Sequence, residues 1–276
     1  MNTNSQFPIL NSLINYILHL ADNALILAQC NSEWCGHGPV LEQDIAITNI
    51  SLDLIGQARN FYQYAAELIN PSTIQPFNPS TLQPSNHSTP STEDTLAYLR
   101  DARDFKNCLL VEQPNGDWGK TILRQFFFSN YQYLLYEKLQ ISSDDQLSAI
   151  AAKALKEVTY HLRWSSEWVI RLGDGTEESH NRMLNAIDEL WPYTDELFIA
   201  ADYENELLNN KISVDVASLK TNWQQKTELI FSEATLPMPK EIFANKGGKQ
   251  GMHTEQLGFI LAEMQFLQRA YPNSEW

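Results

Sequence analysis

Between residues 9 and 30 the chain sets Leu10, Leu13, Ile14, Ile17, Leu18, Ala21, Ala24, Leu25 and Ala28 on one broad face, with no glycine or proline among them. Apolar residues that return every three or four positions line one face of a helix and cannot alternate as a strand requires. The same period marks a second helix over about 42–69, through Ile47, Ile50, Leu54, Ala58, Phe61, Ala65 and Leu68. A third, over 118–140, is rich in aromatic residues: Phe126, Phe127, Phe128, Tyr131, Tyr133 and Tyr136. A fourth runs over 144–172 and is expected to stop at Gly173, a C-terminal glycine. Shorter helices are expected over 94–105, 215–234 and 253–270. A further one is expected over 177–208, with Pro192 kinking or breaking it.

The fold class is therefore all-α. Four long helices with additional C-terminal helices describe a ferritin-like bundle, and no linker points to a second domain, so 1–276 reads as a single ferritin-like domain. One stretch departs from the pattern. Residues 70–93, NPSTIQPFNPSTLQPSNHSTPSTE, nearly repeat themselves and are dense in proline, serine and threonine. That density leaves no room for helix or strand. The expectation is an exposed, disordered insertion, with a proline-rich adaptor ligand as the alternative.

The formal net charge is −15 and the isoelectric point about 4.7. Such a chain repels nucleic acid and anionic membranes, so neither is an expected partner. Cys30, Cys35 and Cys108 form no disulfide framework and no zinc spacing, which fits a reducing cytoplasm. The first apolar run lacks a basic leader and is interrupted by His19, Asp22 and Asn23, so it reads as a bundle helix, not a signal or a membrane span.

A carboxylate-bridged di-iron bundle takes one Glu from each of two helices and Glu-x-x-His from each of the other two. The chain holds that motif once, at Glu177 and His180, in the polar stretch GDGTEESHN, where a solvated helix start is expected. On the fourth helix the residue three before His161 is Val158. Glu157 and His161 share a face at spacing four, which serves a metal or a core histidine bonded to an acid. Asp53 and Gln57 share a face of the second helix, and a neutral amide is a weak ligand for iron. Glu33, Cys35 and His37 crowd one loop, and nothing else supports a thiol nucleophile there. Lys246, Gly247, Gly248, Lys249, Gly251, His253, Thr254 and Glu255 form a basic, glycine-rich approach to the last helix. It reads either as a docking or anion site, or as a structural turn capped by Thr254.

The strings EWCGHGPVLEQDIA, LDLIGQARNFYQYAAEL, LLVEQPNGDW, KEVTYHLRWSSEW and GGKQGMHTEQLGFILAEMQFLQRAYPNSEW resemble the C-subunit family of the bacterial phenylacetyl-CoA 1,2-epoxidases. These are multicomponent oxygenases of phenylacetate catabolism. The resemblance spans nearly the whole chain outside 70–93. It implies a structural, non-catalytic subunit with no cofactor or metal of its own. The implied partners are a homologous catalytic subunit holding the di-iron centre, a small B subunit, and a reductase with flavin and an iron–sulfur cluster. A homodimer is the option in isolation. The resemblance also implies that one Glu-x-x-His falls on Leu54–Gln57, with both ligands replaced, and the other on Val158–His161, where only the histidine remains. A first carboxylate would then correspond to Glu33. A degenerate, metal-free network of Glu33, Asp53, Gln57, Glu157, Val158 and His161 follows as the expectation. Lys246, Gly247, Gly248, Lys249, His253 and Glu255 become the expected partner-docking or CoA-phosphate loop. The rival readings are an active metalloenzyme built on Glu33, Asp53, Glu157 and His161, and an interaction module unrelated to oxygenation.

Overall fold

The computed structural model describes residues 6–70, 91–240, 243–272 and 274. Among them lie ten α-helices and no strand. They are α1 (Gln6–Ser32), α2 (Leu41–Ile69), α3 (Glu93–Tyr98), α4 (Trp118–Leu139), α5 (Asp145–Gly173), α6 (Glu177–Leu190), α7 (Asp202–Leu208), α8 (Lys220–Glu233), α9 (Glu255–Met264) and α10 (Phe266–Ala270). The all-α expectation and the four long helices hold.

Two hairpins, α1–α2 and α4–α5, face each other across the core. Trp34 bonds Thr121 and Asn31 bonds Gln125, so rising numbers on α1 meet falling numbers on α4 and the two run antiparallel. Helix α2 therefore runs parallel to α4, and the connection between them, 70–117, must travel the length of the bundle. That long crossover is a ferritin-like topology.

Local chemistry sets the helix starts. Asp117 caps α4 by accepting from Lys120 N at 2.9 Å, and Asp144 caps α5 by accepting from Leu147 N at 2.9 Å. Thr176 and Ser179 form a reciprocal capping box at the head of α6, which places Glu177 in its first turn. Helix α1 is long and apolar enough to cross a membrane, but 83% of its most apolar window is buried inside the bundle.

Three helix expectations need correction. The helix expected over 177–208 is two, α6 and α7, joined by tight turns around Pro192, whose missing N–H cannot continue the ladder. The one expected over 253–270 breaks at Gln265, whose amide turns inward to the carbonyls of Ala97 and Arg100, at 3.1 Å each. The stretch 94–105 is helical only to Tyr98, followed by a single tight turn at Ala102–Asp104. At the end of α5 stands Gly173, as expected. It is glycine because a Cβ there would lie 2.4 Å from the carbonyl oxygen of Ala234.

The C-terminal helices dock on α4 through rings. Phe127 packs on Trp191, Trp223 and Phe231 at centroid distances of 5.5–6.0 Å. Phe127, Trp223 and Phe231 are buried, and each contributes on the order of 2 kcal/mol by removing apolar surface from water.

The insertion expected over 70–93 falls largely on 71–90, outside the described residues. Its two ends are described and touch. Asn70 donates to the carbonyl of Ser91 at 2.6 Å, and Ser91 N donates back to the Asn70 side chain at 3.2 Å.

Candidate functional site

The inner faces of α2, α4 and α5 meet in a polar layer inside an otherwise apolar core. His161 Nε2 lies 3.0 Å from Asp53 Oδ2. One turn along, Gln57 Nε2 donates to Glu157 Oε2 at 2.9 Å. Gln57 in turn accepts from Gln132 Nε2 at 3.0 Å and from the Tyr136 hydroxyl at 3.4 Å. Gln132 also donates to Tyr136 at 3.0 Å. Gln57, Gln132, Tyr136 and His161 are buried, and Val158 fills the adjoining core position as an aliphatic. Burial pushes the Tyr136 hydroxyl above its usual range, so it stays a neutral donor.

Glu33 does not join this layer. It lies past the end of α1, where Asn115 Nδ2 donates to it at 2.6 Å, and burial raises its pKa. The inward position on α1 belongs to Asn31, fully buried, which donates to Gln125 at 2.7 Å. Gln125 passes the chain on to Ser129 at 2.8 Å. Beside them the buried Arg124 guanidinium reaches Asn115 at 2.5 Å, Asn31 at 3.4 Å and the carbonyl of Gln113. The sequence reading missed Asn31, Gln125, Ser129, Gln132 and Tyr136. A signal existed, because positions 125, 129, 132 and 136 are polar at spacings of four, three and four and so share one face of α4.

Among the described residues no three His, Cys, Asp or Glu side chains gather where they would hold a metal ion. The donor set of the polar layer does not suit a di-iron centre either. Two of its members are neutral amides, and each carboxylate is already bonded to a side chain of the chain itself. Glu177 and His180 sit at the head of α6, where His180 Nδ1 bonds the carbonyl of Gly173 at 2.7 Å.

The glycine-rich loop before α9 binds anions, and they are the chain's own. Glu196 Oε1 accepts from Gly247 N at 2.7 Å and Gly248 N at 2.8 Å, while its Oε2 accepts from Leu109 N at 2.7 Å. Burial raises the Glu196 pKa against the pull of these three amides. Lys249 is not on the surface: its Nζ lies 2.9 Å from Glu204 Oε2, with both side chains 1% exposed. Glu112 accepts from His253 Nδ1 at 2.8 Å and from the backbone and hydroxyl of Thr254 at 2.7 and 2.8 Å. His253 Nε2 faces the carbonyl of Phe105 at 2.9 Å. Burial pulls His253 down, but the bond to Glu112 and its charge outweigh this and hold its pKa above the ordinary value. The expectation of an outward docking or CoA-phosphate loop is corrected for Gly247, Gly248, Lys249 and His253, whose donors are engaged internally. Lys246 and Glu255 are exposed.

Fold and layer together define a class: a ferritin-like bundle with a layer of hydrogen-bonded polar side chains in its core. The chain belongs to the phenylacetic acid catabolic protein family, whose model matches residues 3–276. It is 47% identical to the C subunit of 1,2-phenylacetyl-CoA epoxidase from Escherichia coli (strain K12) over 267 residues, covering 97% of this chain and 100% of that protein.

Proposed function

We propose that this chain is the non-catalytic, structural subunit of a multicomponent di-iron oxygenase that epoxidises the ring of phenylacetyl-CoA in phenylacetate catabolism. Family membership and the 47% identity to the C subunit of an epoxidase support the pathway. The non-catalytic part is supported by one observation: Gln57, which the family resemblance sets at the histidine of a Glu-x-x-His motif, holds its amide between Glu157 and Gln132. A neutral amide is a poor iron ligand, and a di-iron centre needs about six protein ligands. This layer offers only Asp53, Glu157 and His161.

In this reading the irons belong to a homologous catalytic subunit, and a small B subunit and a flavin and iron–sulfur reductase complete the cytoplasmic system. This chain holds its own core shut with hydrogen bonds and gives its partner a rigid helical surface. The test is iron content by mass spectrometry, on the purified chain and on its complex with the catalytic subunit. The reading expects little iron alone and about two irons per heterodimer, the stoichiometry of one di-iron centre. Two irons bound by the isolated chain would overturn it.

A further inference from the structure

We infer that the outer face of α2 is the docking surface for a second helical subunit, with Gly56 at the point of closest backbone approach. The inference rests on the subunit reading above and adds the face and the chemistry of the partner. Leu41, Ile45, Leu52 and Ile55 are 72, 52, 60 and 44% exposed, with Val40 beside them at 51%. Their spacings of four, seven and three put them on one side of the helix. The stripe is about 21 Å long at the helical rise per residue. Single exposed aliphatics are ordinary, but an aligned row of them marks an interaction surface.

Gly56 is the second observation. It lies in the interior of α2, exposed, and a Cβ built on it meets nothing within 4 Å. Alanine would fit and would favour the helix by about 1 kcal/mol. No contact inside the chain calls for glycine there. A glycine on an exposed apolar stripe serves to let another backbone come close.

The N-terminal rim of the face is acidic, with Glu42 and Asp44 in the first turn of α2, and beyond its other end Arg59 is paired with Glu93 at 3.5 Å. Next to Ile55 a hollow of about 190 Å³ is lined by Arg59, Tyr62, Glu93, Asp94 and Tyr98. A second copy of this chain would bring a net charge of −15 to meet −15, so self-association is opposed. The occupant is instead a different helical subunit. It lays a helix of about four turns along the stripe and carries Lys or Arg facing Glu42 and Asp44. Under the proposed function that subunit is the catalytic one.

The experiment compares wild type, Leu52→Asp and Gly56→Leu for binding to the purified catalytic subunit by calorimetry and sedimentation, with thermal melts confirming the fold. Both variants should bind more weakly, on the order of 100-fold, as central interface positions do. Leu229→Asp, at a leucine 53% exposed but on α8, should bind as wild type does. Wild-type affinity in both α2 variants would overturn the assignment and leave the subunit reading standing. A homodimer of the isolated chain that Leu52→Asp splits, with the heterocomplex untouched, would assign the face to a second copy and overturn it too. If wild type itself ignores the catalytic subunit, the subunit reading is what fails.

Discussion

Asp53 Oδ2 and His161 Nε2 stand 3.0 Å apart across the seam between α2 and α5, while the other ring nitrogen of His161 has no hydrogen-bond partner among the described residues. The imidazole is thus oriented by one bond, donated from its Nε2 to a carboxylate that is 38% exposed. Asp53→Ala removes the acceptor and leaves a buried N–H without a partner. Water reaches the gap through the exposed side, so the loss should stay near the low end, about 1 kcal/mol. Urea unfolding measures it. Asp53→Asn, which keeps an acceptor oxygen, should recover most of the loss.

Lys249 and Lys246 should behave oppositely. Lys249→Ala strands Glu204 in the core and should cost about 3–5 kcal/mol, enough to lower expression. Lys246→Ala, on the exposed side of the same loop, should change stability by less than about 0.5 kcal/mol. Equal effects in chemical denaturation would contradict the buried pair.

Two histidines should bend the pH profile of stability in opposite senses. His19 is fully buried against the carbonyl of Lys106, and burial, with Lys249 nearby, brings its pKa down to about 4. The unfolded chain then takes up the proton first. Stability falls as pH drops from about 6.5 to about 4. His253 is raised by Glu112, so its contribution is complete below about 6.5 and is lost as pH rises through the higher folded value. His253→Gln should flatten the alkaline limb and leave the acid limb in place, as read from melts across the range.

Glycine substitutions separate open space from tight contact. Gly56→Ala should stabilise the isolated chain by about 0.5–1 kcal/mol, because its Cβ meets nothing within 4 Å. Gly173→Ala drives its Cβ into the carbonyl of Ala234 and should destabilise by about 1–3 kcal/mol. Melting temperatures that move together in these two variants would contradict the packing around both.

Helix periodicity made the bundle legible, since four long amphipathic runs have few ways to bury their faces. Asp53, Gln57, Glu157 and His161 were legible as pairs because helical spacing places each pair on one face. Glu33 was not, because periodicity does not mark where α1 ends. The helix stops at Ser32, and the inward position is Asn31. The loop before α9 was misread outward because its counter-charges are remote in sequence. Glu204 and Glu196 precede their partners by 45 and 51 residues and Glu112 by 141, and no local pattern announces a pairing at that range. Arg124 and Gln125 stand beside the aromatic run Phe126–Phe128, which drew the reading of that helix to its rings and away from its polar face.

Asn70 and Ser91 bond each other in both directions, so the end of α2 is tied directly to the approach to α3. One side chain carries both bonds: where the crossover leaves α2 and where it resumes before α3 are fixed by the same residue, and Asn70→Ala would release both at once.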